Sequence, residues 1–424
     1  MSALLTLAAR SAWNRRFVLA LVLLSVALST FLLLGIERVR ADVRANFSQA
    51  VSGTDLIVGP RTGAVQLLLY SVFRLGSGTS SMRYSSAEEL ARHRAVAWMV
   101  PLALGDSHRG FAVVGTTAEY FVRYRYGDKQ LLALAQGRPL DERPDGLFDA
   151  VIGADVAAAL GYRIGQRVVL SHGDGVMSEN DHGDKPFTVS GILQRTGTPV
   201  DRSVHISLRA MEALHVEWIA GTRLPGVSLS AEDALKLDLQ PKSVTAVLLG
   251  LKGRTAVFAV QRAVQEFEAE PLMAVLPGVA LDELWQAIGI GERALLAVSA
   301  LVAVVSLAGL VATILASLNE RRRELALLRA VGVGPGRMMA LLALEAALVA
   351  LLGAALGMAA LYLSLFTGSG WVQAHWGIVL HAGWPSVDEW RWVAAVAGGG
   401  LLAGLVPGWR AYRMSLADGL SPRL

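Results

Sequence analysis

The chain of 424 residues is rich in apolar side chains and poor in charge, with 53% hydrophobic residues, 17% charged residues and a mean hydropathy of +0.46. A soluble domain carries about 25% charged residues, so this composition excludes an ordinary soluble protein. The sequence contains no cysteine, which excludes disulfide bonds.

The first predicted element is an apolar run at residues 17–36, which contains no charged side chain. A helix needs about 20 residues to cross the hydrocarbon core of a bilayer, and this run meets that length. It also exceeds the ~7–15 apolar residues of a signal peptide. We therefore predict that residues 17–36 form an uncleaved first membrane span.

The long segment at 37–293 is predicted to be an extracytoplasmic mixed α+β region, with room for one large or two small domains. Strand-like "AVIG", helical "ADVAAALG" and strand-like "RIGQRVVLSHGDG" are followed by strand-like "KPFTVSGILQRTG". Earlier, "SAEELARHR" is helix-like and "AVVGTTAEYFV" is strand-like. Later, "SVTAVLLGLKG" is typical of a strand and "RTAVFAVQRAVQEFE" of a helix.

One loop of this region, residues 171–185, collects side chains that are able to bind a metal ion. Imidazole and carboxylate groups coordinate Zn²⁺ and similar ions, and the candidate ligands are His172, Asp174, Asp181 and His182. Glycine, serine, asparagine and aspartate are also the usual residues of an exposed connection between two strands. We favour the plain loop, assign no metal and keep these four residues as candidates.

Three further apolar runs, at 294–318, 338–366 and 390–409, complete a set of four predicted spans. The third is interrupted only by Glu345 and the fourth only by Arg391 near its edge. Glycines recur at a spacing of four on these two spans, which allows helices to pack closely. The predicted packing residues, within one chain or across a dimer, are Gly353, Gly357, Gly400, Gly404 and Gly408. The predicted fold class is four transmembrane helices plus a mixed α+β domain between spans one and two.

Between spans two and three lies a basic segment at 319–337, which begins "NERRRELALLRAVG". Leu325, Leu328 and Val331 recur at spacings of three and form an apolar stripe on a predicted helix, with Ala326 beside it. An apolar stripe in a polar loop favours docking against a partner protein, whereas arginines next to the bilayer fix the orientation of the spans.

The distribution of arginine predicts the orientation of the chain. Arginines are concentrated before span one, between spans two and three and after span four, whereas the short loop at 367–389 contains no lysine or arginine. Cytoplasmic loops carry the excess of basic residues. We therefore predict a multi-pass membrane protein, with 319–337, the tail at 410–424 and both termini in the cytoplasm. The net charge of +4 reflects this topology and gives no support for nucleic-acid binding.

The sequence contains no nucleotide-binding or hydrolytic motif. The string "GVGPGR" at 332–337 has the glycines of a phosphate loop but lacks the lysine followed by a hydroxyl residue, so we interpret it as a turn that ends a helix. H-E-x-x-H, G-x-S-x-G and C-x-x-C are also missing. We therefore predict that this chain binds no cofactor and is not an enzyme by itself.

The segments after residue 293 resemble the permease domain of the MacB, LolC/LolE and FtsX superfamily of ABC transporters. The resemblance rests on "NERRRELALLRAVG", on "RMMALLALEAALVALLGAALG" and on the terminal "PGWRAYRMSLADGL". At the other end, "LAARSAWNRRFVLALVLLSVAL" is similar to the family's first span and the amphipathic cytoplasmic helix before it, here 1–16. "VIGADVAAALGYRIGQRVVL" and "FTVSGILQRTG" resemble the periplasmic domain of MacB-type permeases. The chain departs from the family at "LADGL", where members commonly show a proline and an acidic residue.

The resemblance implies that ATP hydrolysis on a separate ABC ATPase subunit, which binds the ATP and Mg²⁺, moves the periplasmic domain of this chain. It also implies a location in the bacterial inner membrane and a second permease copy as partner, in a homodimer or a paralogous heterodimer. The other implied partners are membrane lipid and a periplasmic adaptor, carrier or substrate-binding protein. The family's coupling helix corresponds here to Glu320, Arg322, Arg323, Glu324, Leu325, Ala326, Leu328, Arg329, Val331 and Gly332.

Two function classes remain open. The first is a permease subunit that drives export or membrane extraction of a lipoprotein, a peptide, an amphiphilic small molecule or a metal complex. The second is an FtsX-like regulator that activates a periplasmic cell-wall hydrolase and transports nothing. The length of the segment at 37–293 favours the first, because it exceeds the outer domain usual in FtsX-type permeases.

Overall fold

The computed structural model describes residues 16–76, 80–141, 143–173, 182–219, 222–223, 231–320, 322–376 and 378–413. The chain divides into two compact units. The membrane unit comprises Met1–Asp42, Gly289–Gly370 and Leu380–Leu424, and the large domain comprises Val43–Ile288 and Trp371–Val379. The predicted helix at 1–16 lies outside the described residues except for Arg16, as does the predicted tail beyond Arg413.

The α-helices of the described residues are, in chain order, α1 (Arg16–Gln49), α2 (Ala64–Ser71), α3 (Tyr84–Ala91), α4 (Glu119–Arg123), α5 (Ala154–Leu160), α6 (Leu208–His215), α7 (Ala231–Ala234), α8 (Val257–Gln265), α9 (Pro277–Glu320), α10 (Arg322–Ala330), α11 (Pro335–Trp376) and α12 (Val387–Arg413). Short 3₁₀ turns occur at Pro144–Gly146, Pro199–Arg202 and Arg254–Ala256.

Four of these helices, α1, α9, α11 and α12, are each long and apolar enough to cross a membrane, which confirms the four predicted spans. All four extend beyond the predicted apolar runs. The predicted loop at 367–389 is wrong in its first part, because α11 continues to Trp376. The hydroxyl of Thr367 donates to the carbonyl of Leu363 at 2.9 Å, a bond made inside the helix, so the Thr-Gly-Ser-Gly string does not end it.

The large domain is built on a mixed sheet of eleven strands. They are β1 (Leu56–Pro60), β2 (Val96–His108), β3 (Phe111–Thr116), β4 (Leu134–Gly137), β5 (Asp149–Ile152), β6 (Arg167–Val168), β7 (Ser171–His172), β8 (Phe187–Leu193), β9 (Ser203–Ser207), β10 (Ala246–Leu251) and β11 (Leu272–Val275). Separate two-stranded pairs join Met82–Arg83 to Ser243–Val244, Arg125–Tyr126 to Gln130–Leu131, and Trp218–Ile219 to Thr222–Arg223.

Across this sheet the strand order is β11-β1-β10-β2-β3-β9-β5-β8-β4, with β7 paired to β2 and β6 paired to β8. The pairs β3 with β9 and β5 with β8 are parallel, and the other neighbours are antiparallel. This mixture confirms the predicted α+β class. It also places β2 at the centre, in contact with three other strands.

Both faces of the sheet are covered by apolar side chains. Successive strand residues point to opposite faces, and accordingly Val113 belongs to one buried cluster while Val114 belongs to the other. Ile57 and its neighbour Val58 divide in the same way. Burial on both faces explains why β10 is a continuous apolar run instead of an alternating one.

The local patterns of the large domain predict several of these elements. "AVIG" forms β5, "ADVAAALG" forms α5, and the strand in "KPFTVSGILQRTG" is β8. The prediction for "AVVGTTAEYFV" is wrong in its second half, because β3 ends at Thr116 and Glu119–Arg123 is helical. Tyr120 and Phe121 are buried by that helical turn, so their aromatic side chains serve the core without extending the strand.

A buried histidine gives the large domain a pH-dependent stability. His205 on β9 is fully buried, its Nδ1 lies 3.2 Å from the carbonyl oxygen of Val151, and its ring lies beside Tyr120. Burial, assisted by the positive charge of Arg74, lowers the pKa of His205 to about 3. The unfolded chain binds this proton near pH 6.5. The contribution of His205 is therefore fully present above about pH 6.5 and is lost as the pH falls toward 3.

We expect His205→Phe to make the stability of the chain less sensitive to acid. Between pH 7.5 and pH 5, His205 alone should remove about 2 kcal/mol from the free energy of unfolding, and the variant lacks that loss. Denaturant unfolding of the full chain in detergent, followed by tryptophan fluorescence at both pH values, measures the difference. His93→Gln, in the same domain, serves as the control. An acid sensitivity equal in wild type and His205→Phe contradicts the prediction.

Candidate functional site

Four potential metal ligands of the large domain come together at one place. We call Asp106, His172, His182 and His215 the histidine cluster; each offers one ligand atom, and these atoms all lie within 4.8 Å of one another. Two of the four, His172 and His182, are candidates from the sequence. The other sequence candidates, Asp174 and Asp181, lie outside the described residues.

Strand pairing brings the first two members together. Asp106 on β2 and His172 on β7 are direct cross-strand partners, a position in which side chains on one face touch. The pairing of β2 with β3 shifts register between Leu104 and Ser107, where Gly105 has a φ of +149°. Such a bulge changes the direction of the following side chain, and here the side chain of Asp106 is fully buried.

The remaining members come from a helix end and from a chain turn. His215 is the last residue of α6, and its Nδ1 lies 2.9 Å from the carbonyl oxygen of Met211. Because a carbonyl only accepts, Nδ1 carries the proton and Nε2 faces the cluster. The backbone of His182 is fixed by a hydrogen bond from its amide to the carbonyl of Leu170, at 2.8 Å, and by one from the amide of Lys185.

Three of the potential metal-ligand atoms of the cluster form a tight triangle. The Nδ1 atom of His172 lies 2.9 Å from Oδ1 of Asp106 and 3.1 Å from Nε2 of His215. The third side, from Nε2 of His215 to Oδ1 of Asp106, is 3.3 Å. The side chains of His172 and His215 are 30% and 28% exposed, whereas His182 is 3% exposed. The cluster therefore combines two partly exposed imidazoles with one that is buried.

Electrostatics set the protonation of the cluster. Burial by itself raises the pKa of Asp106, but its hydrogen bonds with His172 and His215 outweigh burial and hold that pKa well below the usual range. Burial lowers the pKa of His182 to about 4. For His215, burial lowers the pKa, yet the hydrogen bond to Asp106 and its charge give a net increase. Near neutral pH the carboxylate is ionised and His182 is neutral, the forms in which both groups bind metal.

The sequence alone identifies only half of this cluster. Asp106 precedes His172 by 66 residues and His215 follows it by 43, so no short motif unites them. Asp106 also lies in a strand whose pattern gives no sign of a site. The one available signal is the concentration of histidines at 172, 182 and 215 in a chain with only eight of them.

A second candidate site is the predicted coupling segment, where α10 forms from Arg322 to Ala330. Gly332 has a φ of +93° and ends the helix in the predicted turn. Leu327 and Val331 are 64% and 84% exposed. The side chains of Glu320, Arg322, Arg323 and Glu324 lie outside what the structure describes.

Only part of the predicted apolar stripe is open to a partner. Leu325 and Ala326 are buried, and Leu325 packs with Leu318 and Met338 in the core of the membrane unit. Leu328 is partly buried against the same core. Leu325 and Leu328 therefore hold α10 against its own spans, whereas Val331, the third residue of the stripe, is exposed. The apolar surface open to a partner is formed by Leu327 and Val331, and Leu327 is absent from the set predicted by sequence.

The five predicted packing glycines lie at helix contacts within the chain. A Cβ atom built on Gly353 or Gly357 would lie 2.7 Å or less from atoms of α1. One built on Gly404 would lie 2.7 Å from the Cα of Ala343 on α11, and Gly400 and Gly408 face α11 in the same way. The glycines of α11 thus pack on α1, and those of α12 pack on α11.

A buried ionic network, which was not predicted from the sequence, joins three helices of the membrane unit. Glu389 of α12 is 1% exposed, its Oε1 lies 3.4 Å from a guanidinium nitrogen of Arg38 on α1, and its Oε2 accepts from Tyr362 of α11 at 2.7 Å. Arg38 also pairs with Asp42 at 3.4 Å. Ser386 and Glu389 bond reciprocally, each accepting from the other's backbone amide. This S-x-x-E capping box is the sequence signal that was available.

Comparison with known proteins addresses both units. The family described as the MacB-like periplasmic core domain matches residues 19–267, and the family described as the FtsX-like permease C-terminal matches residues 296–417. None of the curated proteins compared with the chain matches it.

Two solved structures are similar at low identity. The periplasmic region of MacB from Actinobacillus actinomycetemcomitans aligns over 57% of this chain and 96% of its own, with 12% identity and a TM-score of 0.34. The extracellular domain of the noncanonic ABC-type transporter YknZ from Gram-positive bacteria aligns over 53% of this chain and 98% of its own, with 12% identity and a TM-score of 0.31.

The two family matches agree with the division of the chain. The first match extends over more than half of the sequence and includes most of the large domain, and the second includes the three spans that follow it. The chain is thus a multi-pass membrane protein, and it belongs to the family of ABC permeases with a MacB-like periplasmic core domain and an FtsX-like permease C-terminal region.

Proposed function

We propose that this chain is the permease subunit of an ABC exporter in the bacterial inner membrane, with both termini and α10 in the cytoplasm. A separate ATPase subunit binds ATP and Mg²⁺ and docks on α10. Its closure moves the large domain, which drives export or membrane extraction of a substrate. Two permease copies work together, each with its own ATPase. The observation that carries this proposal is the exposed apolar end of α10, in a loop between two spans.

The contacts of α10 support its use as a transmitter of movement. Leu325 belongs to the same buried cluster as Ile314 and Leu318 of α9 and Met338 and Leu342 of α11. A force applied to the exposed side, at Leu327 and Val331, therefore reaches two spans directly. A packed core resists compression and transmits displacement.

Three of the membrane-spanning helices, α1, α9 and α11, contribute residues to both units. α1 continues from the membrane unit to Gln49, and Phe47 packs against the core of the large domain. α9 begins at Pro277, and its Leu281 and Leu284 are buried in that same core. We propose that the movement passes along these helices, which continue through the boundary between the units in the sequence.

The FtsX-like alternative uses the same docking surface but requires a hydrolase as the acceptor of the movement. The match of residues 19–267 to the MacB-like domain supports the exporter. The two functions predict different outcomes. An exporter removes a substrate in proportion to ATP hydrolysis, whereas the regulator changes only the activity of its hydrolase.

We expect Val331→Asp and Leu327→Asp to weaken the ATPase complex at least about tenfold while leaving the permease folded. A carboxylate placed in an apolar contact must lose its hydration without a partner, which costs more than the ~1.4 kcal/mol of a tenfold change. Co-expression with candidate ABC ATPases of the same genome, followed by copurification and ATP hydrolysis in detergent, measures both quantities.

Two further variants serve as controls for that result. Leu235→Asp places the same charge at an exposed leucine of the large domain and should leave the complex intact. Leu325→Asp puts the charge into the core of the membrane unit and should impair folding itself. If Val331→Asp and Leu327→Asp copurify and hydrolyse ATP as the wild type does, α10 is not the docking element.

A further inference from the structure

We propose that the histidine cluster is a binding site for a divalent transition metal ion of the zinc class. The ion would be held by Asp106, His172, His182 and His215 in a closed site that connects β2, β7 and α6. This inference stands independently of the proposed transport function, because it concerns only the large domain and uses no contact with a partner.

The ligand chemistry selects the class of ion. Three imidazoles and one carboxylate are the donors found at Zn²⁺ sites, whereas Mg²⁺ and Ca²⁺ prefer sites made entirely of oxygen. A tetrahedral zinc site uses four protein ligands when it is structural and leaves a position open when it is catalytic. With four ligands at hand, this cluster has the composition of a closed site.

The distances fit a shared ion. Metal–nitrogen bonds of about 2.0–2.1 Å in a tetrahedron place neighbouring donor atoms about 3.3 Å apart. The three sides of the triangle formed by His172, His215 and Asp106 measure 2.9, 3.1 and 3.3 Å. The ligand atom of His182 is within 4.8 Å of the other three. The proposal requires the imidazole of His182 to move inward to take the fourth corner.

The surroundings of the cluster hold the ligands as zinc sites require. Imidazole ligands at metal sites usually donate their second nitrogen to a carbonyl or carboxylate, and Nδ1 of His215 donates to the carbonyl of Met211. The Oδ2 atom of Asp106 is buried and has no hydrogen-bond partner within the described part of the chain. A buried carboxylate oxygen left in this way is costly, and a bound cation removes that cost.

A buried ion pair helps to hold the turn that carries His182. The ammonium of Lys185 is 2.8 Å from Oε1 of Glu217 and 3.2 Å from Oδ2 of Asp184, and the side chains of Lys185 and Glu217 are each only 1% exposed. The amide of Lys185 donates to the carbonyl of His182. The turn that carries His182 is thereby anchored to residues that follow α6, so His182 and His215 are held on the same part of the domain.

The test uses the full chain without any histidine tag, purified in detergent, stripped with a chelator and titrated with Zn²⁺ alone. We expect the wild type to bind one Zn²⁺ with micromolar or tighter affinity, and we expect Zn²⁺ to raise its melting temperature. His172→Gln should bind at least about 100-fold more weakly, since even the loss of an outer-sphere partner costs 10–100-fold. Millimolar Mg²⁺ should not displace the ion.

Controls keep the result interpretable. His93→Gln removes a histidine of the same domain outside the cluster and should bind as the wild type does. His215→Gln repeats the test should His172→Gln prove unstable, and gel filtration checks that each variant is folded. With Co²⁺ as a spectroscopic probe, the wild type should show the strong visible absorption of tetrahedral coordination. If the wild type binds less than half an equivalent of Zn²⁺, or the cluster variants bind unchanged, the proposal is wrong and the residues form only a hydrogen-bonded cluster.

Discussion

Replacing Glu389 with alanine is expected to lower the free energy of unfolding of the chain in detergent by about 3 kcal/mol. Glu389 is 1% exposed and is the partner of Arg38, whose side chain is 11% exposed. Removing one member of a buried ion pair leaves the other charge without full compensation. The expected loss lies at the lower end of the range for such pairs, because Arg38 keeps its contact with Asp42.

The neighbouring residue provides a matched control. Asp388 pairs with Arg391 at the surface, with side chains 59% and 75% exposed, and exposed pairs contribute about 0–1 kcal/mol. Asp388→Ala should therefore change the free energy of unfolding by less than 1 kcal/mol. Thermal or denaturant unfolding in one detergent compares the two variants, and equal effects would contradict the assigned role of Glu389.

The variant Glu389→Gln separates the contribution of the ion pair from that of the helix N-cap. Glutamine in place of Glu389 retains the capping box with Ser386 but removes the ion pair with Arg38. We expect Glu389→Gln to be less destabilising than Glu389→Ala. Combining Glu389→Gln with Arg38→Met should recover part of the loss, because the buried charge of Arg38 is then removed, while Asp42 keeps its contacts with the backbone amide and Nδ1 of His381. Additive effects of the two changes would show that Arg38 and Glu389 are not coupled.

Most of the secondary structure was predictable because it depends on local patterns. The four spans follow from the length of apolar runs, and α5 follows from a short helical pattern ended by Gly161 in the left-handed conformation, with a φ of +67°. The errors arise where tertiary contacts override the local pattern. Tyr120 and Phe121 suit a strand by propensity, yet helix α4 places both in the core.

The candidate sites were only partly predictable, for a different physical reason. An amphipathic pattern indicates that a helix has an apolar face, but it does not say which surface covers that face. In α10 the stripe at Leu325 is covered by the chain's own spans, and the surface left for a partner includes Leu327. His172 acquires its neighbours Asp106 and His215 only through strand pairing and the packing of α6, which no local pattern records.

The contact between α11 and α12 should fail when Gly404 becomes leucine. A Cβ atom at this position would lie 2.7 Å from the Cα of Ala343 and 2.7 Å from the Cβ of Ala346. These are atoms of a helix backbone and a short side chain, which cannot rotate away, so the helices must separate. We expect a loss of about 3 kcal/mol in the free energy of unfolding, seen as a lower melting temperature in detergent.

A control substitution on the same helix is expected not to lower the melting temperature. Gly398 is exposed on α12, and a Cβ atom there meets nothing within 4 Å. Glycine is a poorer helix former than leucine by about 0.5–1 kcal/mol, so Gly398→Leu should leave the melting temperature unchanged or raise it. Opposite effects at Gly398 and Gly404 would attribute the loss to close packing against Ala343. A decrease of equal size at both positions would instead attribute the loss of stability to a general property of α12. The contact with α11 would then not explain why residue 404 is glycine.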